Sequence, residues 1–366
     1  MGLRDYIDKI KPNFEQGGKY AKFHSTFEAF ETFLYTPNRV TTSGAHIRNY
    51  VDMKHSLIYV VFALIPCFLF GTWNIGYQHF LSLGRDVTFW QTVGYGLIKI
   101  IPLYFVSYIV GLAIEFTFAE IRHEEVNEGY FVTGFLIPLI MPVDVPLWML
   151  AIAVAFAVII GKEVFGGSGM NVVNPALLAR AFLFFSYPSK MTGVDAYSGA
   201  TPLGTLLNGG DVSDLPSLTD LFIGTIPGSI GETSKIAILV GGIFLIINGI
   251  ASLRIILATF AGAIAMCLAF NVPAQYHLLM GGFMFGTFFM ATDPVTAAQT
   301  NIGKIIYGFL IGAIAMLIRI ANPGYPEGMM LAILLMNVFA PLIDWCVVAC
   351  NIYKRKKRWA AERNKK

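Results

Sequence analysis

A threonine set among small residues is the first group in this chain with chemistry to offer. The run Ser198-Gly199-Ala200-Thr201 follows Gly193-Val194-Asp195-Ala196-Tyr197 and is closed by Pro202. Small neighbours suit a surface turn, and they also leave the Thr201 hydroxyl accessible to a second protein. A threonine oxygen can be joined through a phosphoester to flavin mononucleotide (FMN). An unactivated hydroxyl is a poor nucleophile, so the attachment needs a separate flavin transferase. The product is a tethered redox ring that needs no nucleotide-binding fold. None is visible, because no G-x-G-x-x-G follows a strand and there is no P-loop.

A second stretch, Gly166-Gly167-Ser168-Gly169-Met170-Asn171-Val172-Val173-Asn174-Pro175, leads into an apolar run. Glycine-rich backbone can offer N–H groups, and the helix that follows adds its positive end. Asn174 before Pro175 is a good helix start. Asn171 and Asn174 each carry donors and an acceptor, which suits the edge of a pyrimidine-like ring. A purely structural broken helix fits the same residues. Five carboxylates, Glu115, Glu128, Glu163, Asp293 and Asp344, sit within or at the ends of apolar runs, where ionisable groups are expensive and mark functional candidates. Asp293-Pro294 interrupts a helix, so free backbone groups meet a carboxylate there. Hard cations prefer such oxygen ligands. A helix cap or a satisfied structural carboxylate is the competing explanation.

The elements that position these groups follow from composition. Of 366 residues, 55% are hydrophobic and 13% charged, against about 25% charged in soluble domains. The mean hydropathy is +0.62. A soluble core could not hide that much apolar surface, so lipid is part of the solvent. Apolar segments fall at 55–75, 93–117, 128–142, 146–162, 173–188, 235–250, 252–270, 277–291, 302–320 and 327–350. The pattern predicts an all-α polytopic membrane protein with about ten transmembrane helices. Several segments are shorter than the roughly 20 residues of a full crossing, so discontinuous helices are expected. Five spans lie on either side of the loop 189–234. An odd number per half makes the halves inverted repeats, and Asn174-Pro175 is echoed by Asn322-Pro323.

The basic end, Lys354-Arg355-Lys356-Lys357-Arg358 and onward, follows the last span, and the positive-inside rule makes it cytoplasmic. Ten crossings then put the N-terminus on the same side and the loop 189–234 outside. The expected organisation is a cytoplasmic segment 1–53, a first repeat 54–188, the loop 189–234, a second repeat 235–350 and a basic tail 351–366. Residues 28–34 could form an amphipathic surface helix. Nucleic-acid binding is a poor explanation for a basic run placed directly after an apolar span. Cys67, Cys267, Cys346 and Cys350 all lie in apolar runs and read as buried structural thiols. The six histidines show no pair at metal-ligand spacing.

Many ordered stretches carry a resemblance: Phe33-Leu34-Tyr35-Thr36-Pro37, Val126-Asn127-Glu128-Gly129-Tyr130-Phe131, Gly161-Lys162-Glu163-Val164-Phe165-Gly166-Gly167, the Ser198–Thr201 motif, Gly224-Thr225-Ile226-Pro227-Gly228, Phe289-Met290-Ala291-Thr292-Asp293-Pro294 and Asn322-Pro323-Gly324-Tyr325-Pro326-Glu327. Over nearly its whole length the chain resembles the B subunits of sodium-translocating NADH:quinone oxidoreductases. That resemblance implies FMN on Thr201, a noncovalent riboflavin among the helices, electron transfer to quinone and outward sodium movement in a bacterial inner membrane. It ties Glu128, Asp293 and Asp344 to sodium uptake, and the residues of the glycine-rich stretch, with Gly167, Asn171 and Asn174, make it the expected riboflavin cradle. The family often has Asp-Gly-Tyr before the motif, where this chain has Asp195-Ala196-Tyr197. With no nicotinamide-binding motif, NADH must be oxidised by partner subunits. Two alternatives stay open: the D subunit of an Rnf-type electron-transport complex, and a transporter with inverted repeats but no redox chemistry.

Overall fold

The computed structural model describes residues 3–14, 18–20, 27, 31, 41–45, 53–85, 87–122, 129–191, 194–195, 199–207, 215–321 and 328–363. In the polar start, α1 (Leu3–Ile10) is helical, and Lys11 beyond it pairs with Glu31 at 2.8 Å. Apart from Glu31, the surface helix expected at 28–34 lies outside the described residues.

The apolar segments fold as helices. Among the described residues, five are long and apolar enough to cross a membrane. These are α2 (Met53–Ser82), α3 (Phe89–Arg122), α5 (Leu147–Gly161, carried on by a turn to Phe165), α12 (Asn301–Ala321) and α13 (Gly328–Arg363). Four are apolar but shorter: α4 (Tyr130–Leu139), α6 (Pro175–Ser186), α9 (Lys235–Ile247) and α10 (Leu253–Ala269). The segment expected at 277–291 is not one helix. It consists of α11 (Ala274–Leu279), a break at Met280–Gly282, a short turn Phe283–Phe285 and a π-helical turn Gly286–Met290. The π turn is closed by Ala291 N donating to Gly286 O at 2.7 Å, and Pro294, which has no N–H, prevents its continuation.

Local signals set the starts. Asn174 caps α6 with Pro175 in the first turn, and Ser234 caps α9 by accepting from Ala237 N at 3.3 Å. These are the residue types whose oxygens satisfy the orphan N–H groups of a first turn. Large apolar side chains cover the outside: Ile98, Phe105 and Ile109 on α3 and Leu257 and Leu268 on α10 are each more than half exposed. Stripes of that size face lipid rather than water.

Helices α2 to α6 pack on one another, and α10, α12 and α13 form a second group. Within the second group Gly262 and Gly312 let α10 and α12 nearly touch. A Cβ at Gly262 would lie 2.0 Å from Phe309 O, and one at Gly312 1.9 Å from Thr259 O. Small residues of this kind allow close helix packing where lipid provides no hydrophobic drive. Helix α9 packs on α2, and α13 on α6 joins the two groups.

Two expectations change. Cys67 and Cys267 are buried, but Cys346 and Cys350 are exposed, because both lie on the outward face of α13. Residues 351–363 continue α13 as helix rather than forming a separate tail. The loop 189–234 contains α7 (Pro202–Leu207), α8 (Leu218–Ile223) and the one β pairing among the described residues, β1 (Val194–Asp195) with β2 (Gly199–Ala200). Its end folds back on the first group: Asn74 Nδ2 donates to Ile226 O at 3.0 Å and Gly231 N donates to Leu139 O at 2.7 Å.

Candidate functional site

The motif around Thr201 is held on both flanks. β1 and β2 run antiparallel with Val194 opposite Ala200 and Asp195 opposite Gly199. The turn between them, which includes Ser198, lies outside the described residues. Thr201 follows β2 directly and opens α7. Its Oγ1 accepts from Gly204 N at 3.1 Å, and its carbonyl accepts from Thr205 N at 2.9 Å. The cap uses a lone pair on the oxygen and does not use its O–H. Thr201 is half-buried. Helix α7 is seated by Leu203, whose Cδ2 and the Nη2 of Arg319 each lie 3.4 Å from where a Cβ on Gly281 would be.

The glycine stretch leaves α5 through a 3-10 turn at Glu163–Phe165. Gly167 has φ +91°, with Arg122 Nη1 and both Glu163 carboxylate oxygens 3.9 Å from its missing Cβ, while Gly169 faces open space. The two asparagines do different work. Asn171 is half-buried and donates to Val173 O at 3.2 Å. Asn174 is buried, and its Oδ1 accepts from Ala176 N at 3.0 Å and Leu177 N at 3.3 Å. Its Nδ2 points to Asp293 Oδ2 at 3.5 Å. Asn174 is thus spent on capping and on a carboxylate from the other half of the chain, whereas Asn171 keeps its oxygen for other partners.

Asp293 and Asp344 hold one loop, 291–300, between the π turn and α12. Asp293 accepts from Val295 N at 3.2 Å and Thr296 Oγ1 at 2.9 Å. Asp344 reaches across from α13 and accepts from Gln299 N at 2.6 Å, Thr300 N at 2.9 Å and Thr300 Oγ1 at 2.5 Å. It therefore caps the start of α12 from 44 residues away. Beneath the loop, Tyr307 Oη and the Asn337 amide are 2.6 Å apart, and that amide lies 3.1 Å from Asn174 N. Glu128 lies outside the described residues. The structure thus brings Asn174 and Asp293 together, with Asp344 of α13 bonded to the same loop, and places Thr201 in the separate 189–234 segment.

Sequence reasoning singled out carboxylates and passed over their partners. Glu115 pairs with Lys162, each side chain 4% exposed. Arg122 binds Glu163 at 3.0 Å, and Arg180 binds Glu232 at 2.6 Å. Lys235 Nζ donates to Glu232 O at 2.6 Å, and Arg319 donates to His277 O at 2.5 Å. A lone cation inside an apolar run, as at Arg180 and Arg319, was the available signal, since such a charge needs a partner.

A family model described as the NQR2, RnfD, RnfE family matches residues 40–352. The chain is 46% identical to the B subunit of the Na(+)-translocating NADH-quinone reductase of Ectopseudomonas mendocina (strain ymp), covering 98% of this chain and 100% of the relative. It is 45% identical to the protein of that name from Stutzerimonas stutzeri (strain A1501), with the same coverage. With the one from Chromohalobacter salexigens identity is 43%, covering 99% of this chain and 98% of the relative.

Proposed function

The chain belongs to the NQR2, RnfD, RnfE family, and from that membership we propose that it is the membrane-embedded B subunit of a sodium-translocating NADH:quinone reductase. The observation that carries this is identity of 43–46% along nearly the whole length of relatives that bear one name. In this reading Thr201 holds FMN through a phosphoester, riboflavin binds noncovalently at the 166–174 stretch, and electrons pass to quinone while sodium moves outward. The flavins, when bound, supply the electron carriers. The chain's own residues hold and orient them. NADH is oxidised on partner subunits, and a flavin transferase makes the attachment.

The residues present fit these groups. Thr201 is fixed by a backbone hairpin and a helix cap, with its O–H not needed for either. The open space at Gly169 and the half-buried Asn171 give a flat ring backbone and an amide to meet. Asn174 contributes by holding the helix start behind them. For sodium uptake we assign Glu128, Asp293 and Asp344. Asp293 follows the C-terminal end of a broken helix, where carbonyls and a carboxylate meet near a cation path in inverted-repeat transporters. Asp344 acts on that same loop through its three hydrogen bonds.

Ten crossings in two inverted repeats, with both termini cytoplasmic in a bacterial inner membrane, complete the reading. The joins between halves support it. Helices α2 and α9 are the first spans of their halves, and α6 and α13 are the fifth. A pseudo-two-fold axis brings such equivalents together, and these pairs have the most extensive helix contacts between the halves.

The decisive experiment is a denaturing gel of the chain expressed with its flavin transferase. The wild type should show a fluorescent band and Thr201→Val none. A dark wild-type band would falsify the covalent flavin. Reduction of quinone, rather than coupling to ferredoxin, separates this assignment from an Rnf-type protein.

A further inference from the structure

The densest charge left unused by the proposed function lies at the end of α13. This helix has 36 residues and runs about 54 Å at 1.5 Å per residue. Its apolar part, from Met329 through Cys350, takes up about 33 Å, close to the roughly 30 Å of a hydrocarbon core. Tyr353 follows, 69% exposed, a residue type favoured at the membrane boundary. Lys354, Arg355, Lys356, Lys357 and Arg358 come next, still helical and all exposed. Successive residues turn by about 100°, so five in a row point all the way round the axis, within about 6 Å along it. Among the described residues none of the five forms an ion pair.

The charges therefore form a collar and not a stripe. A protein groove meets one face of a helix, and would be served by basic residues three and four apart. A layer of headgroups surrounds a helix on every side. We propose that the Lys354–Arg358 collar binds the anionic phosphate headgroups of phospholipids in the leaflet from which α13 emerges. The attraction of each basic side chain near such a surface corresponds to about a fivefold preference. This proposal is independent of the redox assignment.

The test uses the full chain reconstituted in phosphatidylcholine vesicles containing brominated phosphatidylglycerol, with quenching of tryptophan fluorescence as the readout. Trp345 and Trp359, 68% and 63% exposed, flank the collar and stay in every variant. The wild type should be quenched more by brominated phosphatidylglycerol than by equal brominated phosphatidylcholine, and the excess should vanish near 1 M salt, where charges are screened beyond about 3 Å. K354Q/R358Q and K356Q/K357Q, on different faces, should each lose part of the excess, and the fivefold variant all of it. An unchanged excess in the fivefold variant overturns the proposal. So does loss confined to one pair. A fivefold variant that keeps the lipid preference but no longer co-purifies with its partner subunits would assign the collar to protein docking instead.

Discussion

Replacing Asp344 by alanine removes three hydrogen bonds at once, from Gln299 N, Thr300 N and Thr300 Oγ1. Bonds to a buried charge contribute about 1.5–3 kcal/mol each, but Asp344 is half-exposed, and screening reduces that. Loss of a helix cap alone costs about 1 kcal/mol. A total near 2 kcal/mol follows, roughly a thirtyfold change in the folded-to-unfolded ratio. Asp344→Asn keeps one acceptor oxygen and should lose about half. Thr300→Val removes one of the three bonds, so its effect should be non-additive with Asp344→Ala, because the two share a contact. The assay is reversible unfolding of the purified chain in mixed detergent, run beside sodium-stimulated quinone reduction by the assembled complex. If Asp344 works by holding the loop that carries Asp293, the half-saturating sodium concentration rises in step with the lost stability across the three variants. Wild-type stability in Asp344→Ala together with a large sodium shift would refute the capping role and make Asp344 a direct ligand.

Further outcomes follow from the same geometry. Glu232→Ala breaks the buried 2.6 Å pair with Arg180 and should cost about 3–5 kcal/mol, whereas replacing both residues by leucine should cost less than either single change; detergent unfolding measures both. Asn174→Ala loses the α6 cap and about 1 kcal/mol, along with bound riboflavin per mole of protein. Asn174→Asp keeps a cap oxygen but sets two carboxylates where Nδ2 now meets Asp293 at 3.5 Å, so it should melt below Asn174→Ser. N-ethylmaleimide should add two adducts to the native chain in detergent, at Cys346 and Cys350, and four after denaturation, read by intact mass, since Cys67 and Cys267 are buried.

Helices were legible where an apolar run is bounded by residues that stop or start a helix. Asn174-Pro175 opens α6 as its residue types require, and Asp293-Pro294 ends the π turn. The register of side-chain partners was not legible. Asp344 finds Thr300, and Arg180 finds Glu232 52 positions away, through helix packing that no local pattern encodes. The cap on Asn174 was readable from the Asn-Pro pair, but its second bond, to Asp293, joins the two halves and depends on how they dock. Cys346 and Cys350 were misplaced for a related reason. An apolar run says that a helix avoids water, and in lipid the outward face is as apolar as the inward one, so hydropathy does not distinguish them.

Pro341 lies inside α13, between two residues by which that helix hydrogen-bonds its neighbours. Asn337, one turn before it, meets Tyr307, and Asp344, one turn after it, grips the loop at Thr300. A proline in a helix removes one backbone bond and bends the axis there. The helix is therefore most compliant at the midpoint of its own two anchors. The missing backbone bond at Pro341 thus falls between the contact with Tyr307 and the grip on Thr300, and it sets how stiffly α13 ties those two contacts together.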